Sequence, residues 1–159
     1  MLWRPCDGRI QLPMTPIIET SLEATEAEAE ALLDIIAAAN EASGIHSQLS
    51  EELILRLRDP DTGAMIGGLY GELYYGWLHI RYLAVPPELR GQGLGSRLLG
   101  MAEAHARERA CIGLWLDTFS FQAAEFYRRH GFVGFGEIEG YPPGHRRCFF
   151  QKRLAAALP

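Results

Sequence analysis

The spacing of apolar positions changes several times along the chain, and each change marks an element. From Glu23 to Asn40 the residues are mostly Ala, Glu and Leu, with Leu32, Leu33, Ile35 and Ile36 on one side, which predicts an amphipathic helix. The apolar pair Ile17 and Ile18 before it is expected to form a strand. Leu53, Leu55 and Leu57 then alternate with Ile54, Arg56 and Arg58, and Asp59-Pro60-Asp61-Thr62-Gly63 supplies a turn. Ala64 to Leu73 and Trp77 to Val85 read as two further strands around a turn at Tyr75-Gly76, ended by Pro86-Pro87. These strands form an antiparallel meander.

A glycine-rich stretch, Gly91-Gln92-Gly93-Leu94-Gly95, opens a helix that runs to about Arg109, with Leu94, Leu98, Met101 and His105 on one stripe and expected to pack. Cys111 to Leu116 has the character of a buried strand. Asp117-Thr118-Phe119-Ser120 leads into a helix from Phe121 to His130 that Gly131 closes. Val133 to Ile138 and Arg147 to Arg153 are strands joined by a loop from Glu139 to His145. The first 14 residues, with Trp3, Pro5, Gly8 and Pro13, follow no period and read as an arm, with Met14 a candidate start. Residues 15–153 make one domain, and the Ala-rich stretch 154–159 is expected to fray.

Composition narrows the class. The chain has 159 residues, 48% hydrophobic and 22% charged, enough to bury a full core without disulfides or a structural metal. A net charge of -5 argues against a nucleic-acid or anionic-membrane binder and suits a cationic partner. Cys6, Cys111 and Cys148 form neither a disulfide framework nor a zinc knuckle, so no metal is expected and a reducing cytoplasm fits. No apolar run reaches the roughly 18 residues of a membrane span, which predicts a soluble protein.

Glycines between a strand and a helix make an anion site, because unpaired N–H groups and the positive end of the helix dipole converge there. A P-loop needs Lys followed by Ser or Thr after its last glycine, whereas Ser96-Arg97 follow Gly95. A dinucleotide fingerprint needs a third glycine where Ser96 stands, and it opens a parallel array instead of a meander. Arg90-Gly91-Gln92-Gly93-Leu94-Gly95 instead resembles the R/Q-x-x-G-x-G/A motif of the GNAT superfamily of acyl-CoA-dependent N-acyltransferases. A second segment, Ala123-Ala124-Glu125-Phe126-Tyr127-Arg128-Arg129-His130-Gly131-Phe132, is similar to that family's A-x-x-F-Y-x-x-x-G-F hallmark and follows in the right order.

The resemblance implies an α/β fold with a mixed, mostly antiparallel sheet of six to seven strands flanked by helices. The strands ending at Val85 and Leu116 are its parallel central pair, and acetyl-CoA, the acyl donor, enters where they splay. Around the turn at Gly91, the N–H groups of Gln92, Gly93, Leu94, Gly95 and Ser96 would hold the pyrophosphate. The main chain of Leu83, Ala84 and Val85 would meet the pantetheine arm, with Leu83 or Ala84 giving an N–H to the oxyanion. Arg90 either contacts phosphate or merely solvates the loop.

Attack on a thioester requires a neutral amine, yet an alkylammonium is neutral only about once in two thousand molecules at pH 7. A base is therefore expected, together with an acid for the departing thiolate. Tyr127 aligns with the family tyrosine that faces the CoA sulfur; read without the motif it is an ordinary helix residue. His79 stands where several members carry a glutamate and is the candidate base, with Glu72 and Glu137 as rivals. Ser120 occupies the place of a CoA-contacting asparagine, or else caps the helix. Tyr141 to Arg146 either walls the acceptor site or is a plain connection. The expectation is an N-acetyltransferase in which a primary amine, with the acidic charge balance favouring a cationic one, attacks acetyl-CoA directly in a ternary complex. The alternative is a non-catalytic acyl-CoA binding or sensing module. Members often pair by their last strands, so residues 138–153 are where a homodimer contact is expected.

Overall fold

The computed structural model describes residues 16–44 and 51–154. They fall into two units, one up to Ser47 and one from Gln48 onward, each with its own internal contacts. The expected arm, including Met14, lies outside the described residues.

In the first unit, helix α1 spans Glu26–Ala42. It begins later than the composition suggests because Thr25 and Glu28 form a capping box. The Thr25 hydroxyl accepts the Glu28 N–H at 3.2 Å, and the Glu28 carboxylate accepts the Thr25 N–H at 2.7 Å. Those hydrogen bonds from Thr25 hold the Glu28 carboxyl below its usual range. Ile17 and Ile18 form no strand. Two residues behind Pro16, which has no N–H, are too few to build a ladder.

The second unit is a six-stranded sheet in the order β1-β2-β3-β4-β6-β5. Its strands are β1 (Glu51–Arg58), β2 (Met65–Tyr74), β3 (Trp77–Ala84), β4 (Gly113–Phe119), β5 (Val133–Glu139) and β6 (Arg146–Arg153). Helix α2 (Leu94–Glu108) follows β3, and the short helix α3 (Ala124–Arg129) follows β4. Only β3 and β4 are parallel; every other pairing is antiparallel. The turn between β2 and β3 is tight because Tyr75 and Gly76 both take positive φ, 48° and 75°, which matches the twist of the flanking strands.

The core lies between the sheet and the two helices. Leu69, Leu78, Leu114, Leu116 and Phe150 on the sheet meet Leu98, Leu99, Ala102 and Ala106 of α2. The two alanines leave room for close approach, and the buried stripe of α2 runs through them, so Met101 is half exposed. His105 instead points its Nε2 at the Glu51 carboxylate, 3.3 Å away. Leu154 does not fray. It is buried, and its N–H donates to the Ile112 carbonyl at 2.9 Å.

Two boundaries differ from the sequence reading, the first because of long-range pairing and the second because of a local side-chain turn. β4 starts at Gly113 and continues through Asp117, Thr118 and Phe119 because β6 offers partners there: Phe149, Cys148 and Arg147. α3 starts only at Ala124 because the Gln122 side-chain oxygen takes the Phe119 N–H at 3.1 Å and the Thr118 hydroxyl at 3.0 Å, closing a turn first. Among the described residues no helix is long and apolar enough to cross a membrane.

Candidate active site

β3 and β4 pair only from Trp77 and Gly113 to Ile80 and Leu116. Both strands then continue, to Ala84 and Phe119, without pairing each other. A β-bulge in β3 sits at the point of divergence: Tyr70 and Gly71 of β2 face Tyr82 and Ile80, leaving Arg81 as the extra residue. Such a bulge bends its strand. Beyond Ile80 the main-chain groups of β3 that face the gap have no β4 partner.

The gap opens into a cleft of about 960 Å³. Leu83, Ala84 and Val85 line one side, Arg90, Gly91, Gly93, Leu94, Gly95 and Ser96 line its end, and Thr118, Gln122, Phe126, Tyr127 and Arg129 line the other side. The glycine turn is built by backbone conformation. Gly91 and Gly93 adopt φ of 77° and 78°, which any other residue would strain to reach, although a side chain there would meet open space. Gly93 is the N-cap of α2 and has no side chain to cap with. The first intrahelical bond runs from the Arg97 N–H to the Gly93 carbonyl at 2.9 Å, so the N–H groups of Leu94, Gly95 and Ser96 precede the helix's own bonds. With the positive end of the α2 dipole, this is a preformed anion cradle.

Not every expected site residue meets the cleft. Gln92 is outside the lining, and its side-chain amide lies 3.5 Å from the Glu88 carbonyl. Arg90 Nε donates to the Val85 carbonyl at 3.1 Å, so this arginine ties the loop to the exit of β3 and occupies the acceptor of Val85. Ser120 neither caps α3 nor lines the cleft. Its N–H donates to the Arg146 carbonyl at 2.8 Å and its hydroxyl accepts the Arg146 N–H at 3.1 Å, which extends the β4–β6 pairing by one residue. The residue before α3, Ala123, offers no side-chain cap.

Tyr127 lies on the cleft wall, 8% exposed, with its ring against Phe126, Phe132 and Phe150. Burial first, and then the charge of Asp117, push its phenol up to about 12. It is a neutral hydrogen donor at any ordinary pH.

His79 is not on the cleft lining. Leu78 and Ile80 point into the core, so His79 points to the opposite face of the sheet, one residue pair before the strands part. Its ring stacks on Trp115, centroids 3.6 Å apart and nearly coplanar at 6°. Burial and, after it, the Arg81 charge lower its pKa, which favours neutral imidazole. Glu72, opposite His79 in the register, accepts from the Tyr70 hydroxyl at 2.9 Å and pairs with Arg81 at 3.2 Å. Glu137 pairs with Arg146 at 3.4 Å. Cys111 is buried, and burial pushes its thiol up, away from thiolate chemistry.

Arg129, Asp117, Phe119 and Phe121, which sequence reasoning missed, also gather here, beside the expected Tyr141 and His145. Arg129 adds a cation to the cleft wall. Asp117 pairs with Arg147 at 2.6 Å on the face that holds His79. Phe121 stacks on Phe119 at 5.2 Å and meets His145 at 4.8 Å, and Tyr141 lies 6.0 Å from Phe119. The β5–β6 loop thus touches a residue of the cleft, Phe121. The one signal for that cluster was the density of aromatic residues in both segments.

A sheet that splits between two parallel strands, with a glycine turn and helix start at the split, is the frame of an acetyltransferase of the GNAT type. Residues 20–132 match the acetyltransferase (GNAT) family, and the chain belongs to it. It is 36% identical to an acetyltransferase of Agrobacterium fabrum over 133 residues, 83% of this chain and 96% of that one. It is 47% identical to blasticidin-S acetyltransferase of Streptomyces morookaense over 95 residues, 59% of this chain and 70% of that one. The crystal structure of an acetyltransferase from Bacillus cereus superposes with a TM-score of 0.75 at 36% identity, covering 86% of this chain and 98% of that one.

Proposed function

We propose that the protein moves an acetyl group from acetyl-CoA to a primary amine by direct attack in a ternary complex. The observation that carries this reading is the cleft itself: an uncapped helix start at one end, free main-chain groups of β3 on one side and the buried phenol of Tyr127 on the other. The N–H groups of Leu94, Gly95 and Ser96, with Arg129 nearby, suit the pyrophosphate of the donor. The unpaired edge of β3 around Leu83 and Ala84 suits the pantetheine amides and the oxyanion of the tetrahedral intermediate.

In the chemical step the amine nitrogen bonds to the thioester carbonyl carbon and gives up a proton. Collapse then breaks the carbon–sulfur bond, and the thiolate leaves. Tyr127 donates the hydrogen bond that stabilises that thiolate and passes it a proton as free CoA forms; solvent returns a proton to the phenol, as it takes one from His79. His79 takes the amine proton, directly or through water, and its lowered pKa keeps it ready to accept at pH 7. The acceptor approaches by the face that carries His79, where Glu72 is paired with Arg81 and Asp117 with Arg147, and the net charge of -5 assists the encounter of a cationic compound.

Calorimetric titration with acetyl-CoA, followed by a thiol-release assay across a panel of amines, tests this directly. Micromolar binding with amine-dependent thiol release is expected. Binding with no release under any amine would leave a non-catalytic acyl-CoA binder, and no binding would overturn the donor assignment.

A further inference from the structure

One polar contact joins the two helices across the end of the cleft. His130, the C-cap of α3, reaches Ser96 in the first turn of α2: its Nε2 lies 2.9 Å from the Ser96 Oγ, and its Nδ1 lies 2.7 Å from the Phe126 carbonyl. A carbonyl only accepts, so Nδ1 carries the hydrogen. In that tautomer the ring presents the Nε2 lone pair, and the Ser96 hydroxyl donates to it. A serine inside a helix ordinarily turns its hydroxyl back to the carbonyl four residues earlier. Here that hydroxyl is committed across the helix boundary instead.

The surrounding contacts give this pair leverage. A Cβ at Gly95 would stand 3.4 Å from the Phe126 ring, so the glycine turn packs directly on that ring of α3. The His130 ring itself packs on Phe126, centroids 4.4 Å apart. α3 has six residues and cannot hold its own position, since a helix that short has too few internal bonds. His130 is not on the cleft lining, whereas Ser96 and Phe126 are.

We propose that His130 is a positioning residue for the donor: it fixes the turn that presents the Leu94, Gly95 and Ser96 N–H groups by holding Ser96 to α3. This rests on the donor reading given above. With its Nδ1 hydrogen on the Phe126 carbonyl, His130 accepts the Ser96 proton at Nε2, so Ser96 meets an anion through its main-chain N–H.

The test is a double-mutant cycle read by calorimetric binding of CoA, which measures the turn without turnover. His130→Phe keeps the ring packing on Phe126 and removes both hydrogen bonds, and Ser96→Ala removes the other partner. Of the two bonds lost in His130→Phe only the one to Ser96 reaches the turn, so each single variant is expected to weaken CoA binding about fivefold, the worth of that one hydrogen bond, and the double variant no further. His130→Gln, whose amide oxygen can accept from Ser96, is expected to regain most of the affinity, a recovery that lost packing alone would not allow. In a thiol-release assay of His130→Phe, KM for acetyl-CoA rises with the CoA Kd while kcat moves less than twofold. Unchanged binding in His130→Phe, or losses that multiply in the double variant, overturns the proposal while leaving the donor reading intact. Failure of the parent protein to bind CoA overturns both. Ser96→Ala alters an exposed side chain, so its own loss of CoA affinity stays readable even if a His130 variant folds poorly, and unchanged CoA binding in Ser96→Ala also overturns the proposal.

Discussion

Tyr127→Phe removes one oxygen from the cleft wall, and the structure says how little else it should change. The ring keeps its neighbours Phe126, Phe132 and Phe150, and among the described residues no internal hydrogen bond is lost. Stability is therefore expected to move by no more than about 0.5 kcal/mol, checked by the urea midpoint. The rise of the phenol from 10.0 to about 12 amounts to about 3 kcal/mol against phenolate, so the wild-type side chain remains a proton donor across the assay range. Loss of a positioned acid costs on the order of a hundredfold in rate. Single-turnover thiol release should fall by at least tenfold, while the calorimetric Kd for acetyl-CoA stays within twofold. The wild-type rate should show no alkaline limb from this group below about pH 10, because its proton is held well above that. An undiminished rate in Tyr127→Phe would remove the phenol from the mechanism. Lost binding with an intact rate would show that it serves the donor site instead.

Gly68→Ala should abolish folding or cost more than about 3 kcal/mol, read as the thermal midpoint, because a Cβ there would stand 2.1 Å from the Leu55 carbonyl oxygen at a φ of 147°. His79→Gln bears on pH. Burial and Arg81 lower the native pKa of His79 below its unfolded value, so below about pH 6.5 the unfolded chain binds the extra proton and stability falls with pH until the native ring also titrates. The wild-type urea midpoint should therefore drop relative to that of His79→Gln as pH falls from 7 to 5, and a constant difference would refute the shift. The same variant should flatten the acidic limb of kcat/KM if the imidazole is the base. Substituting Tyr141 and His145 together should change the order of preference among amine acceptors and leave the acetyl-CoA Kd unaltered, since both rings contact Phe119 or Phe121 and neither lines the donor cleft. An unchanged acceptor profile would reduce the loop to a connector.

Local pattern carried far in this chain. The alternation from Leu53 to Leu57, the turns at Asp59–Gly63 and Tyr75-Gly76, the stop at Pro86-Pro87 and the glycines opening α2 were all legible, because each expresses the conformational preference of the residues themselves. The glycine turn and the Phe126-Tyr127 segment were enough to identify the two sides of the cleft. Their meeting there was an expectation, since residues some 30 positions apart share no local signal.

Everything that depended on a distant partner had to wait for the fold. Asp117 and Thr118 look like a helix approach until β6 pairs with them, and Ser120 looks like a cap until Arg146 takes its hydroxyl. Leu154 looks like tail until it fills the core beside Ile112. The bulge at Arg81 that parts β3 from β4 has no counterpart in the alternation, and the Ser96–His130 bond joins elements 34 residues apart. A sequence states what each segment prefers, but a hydrogen bond needs both partners, and an unsatisfied buried polar group costs more than a weak local preference is worth. Where the two compete, tertiary pairing wins.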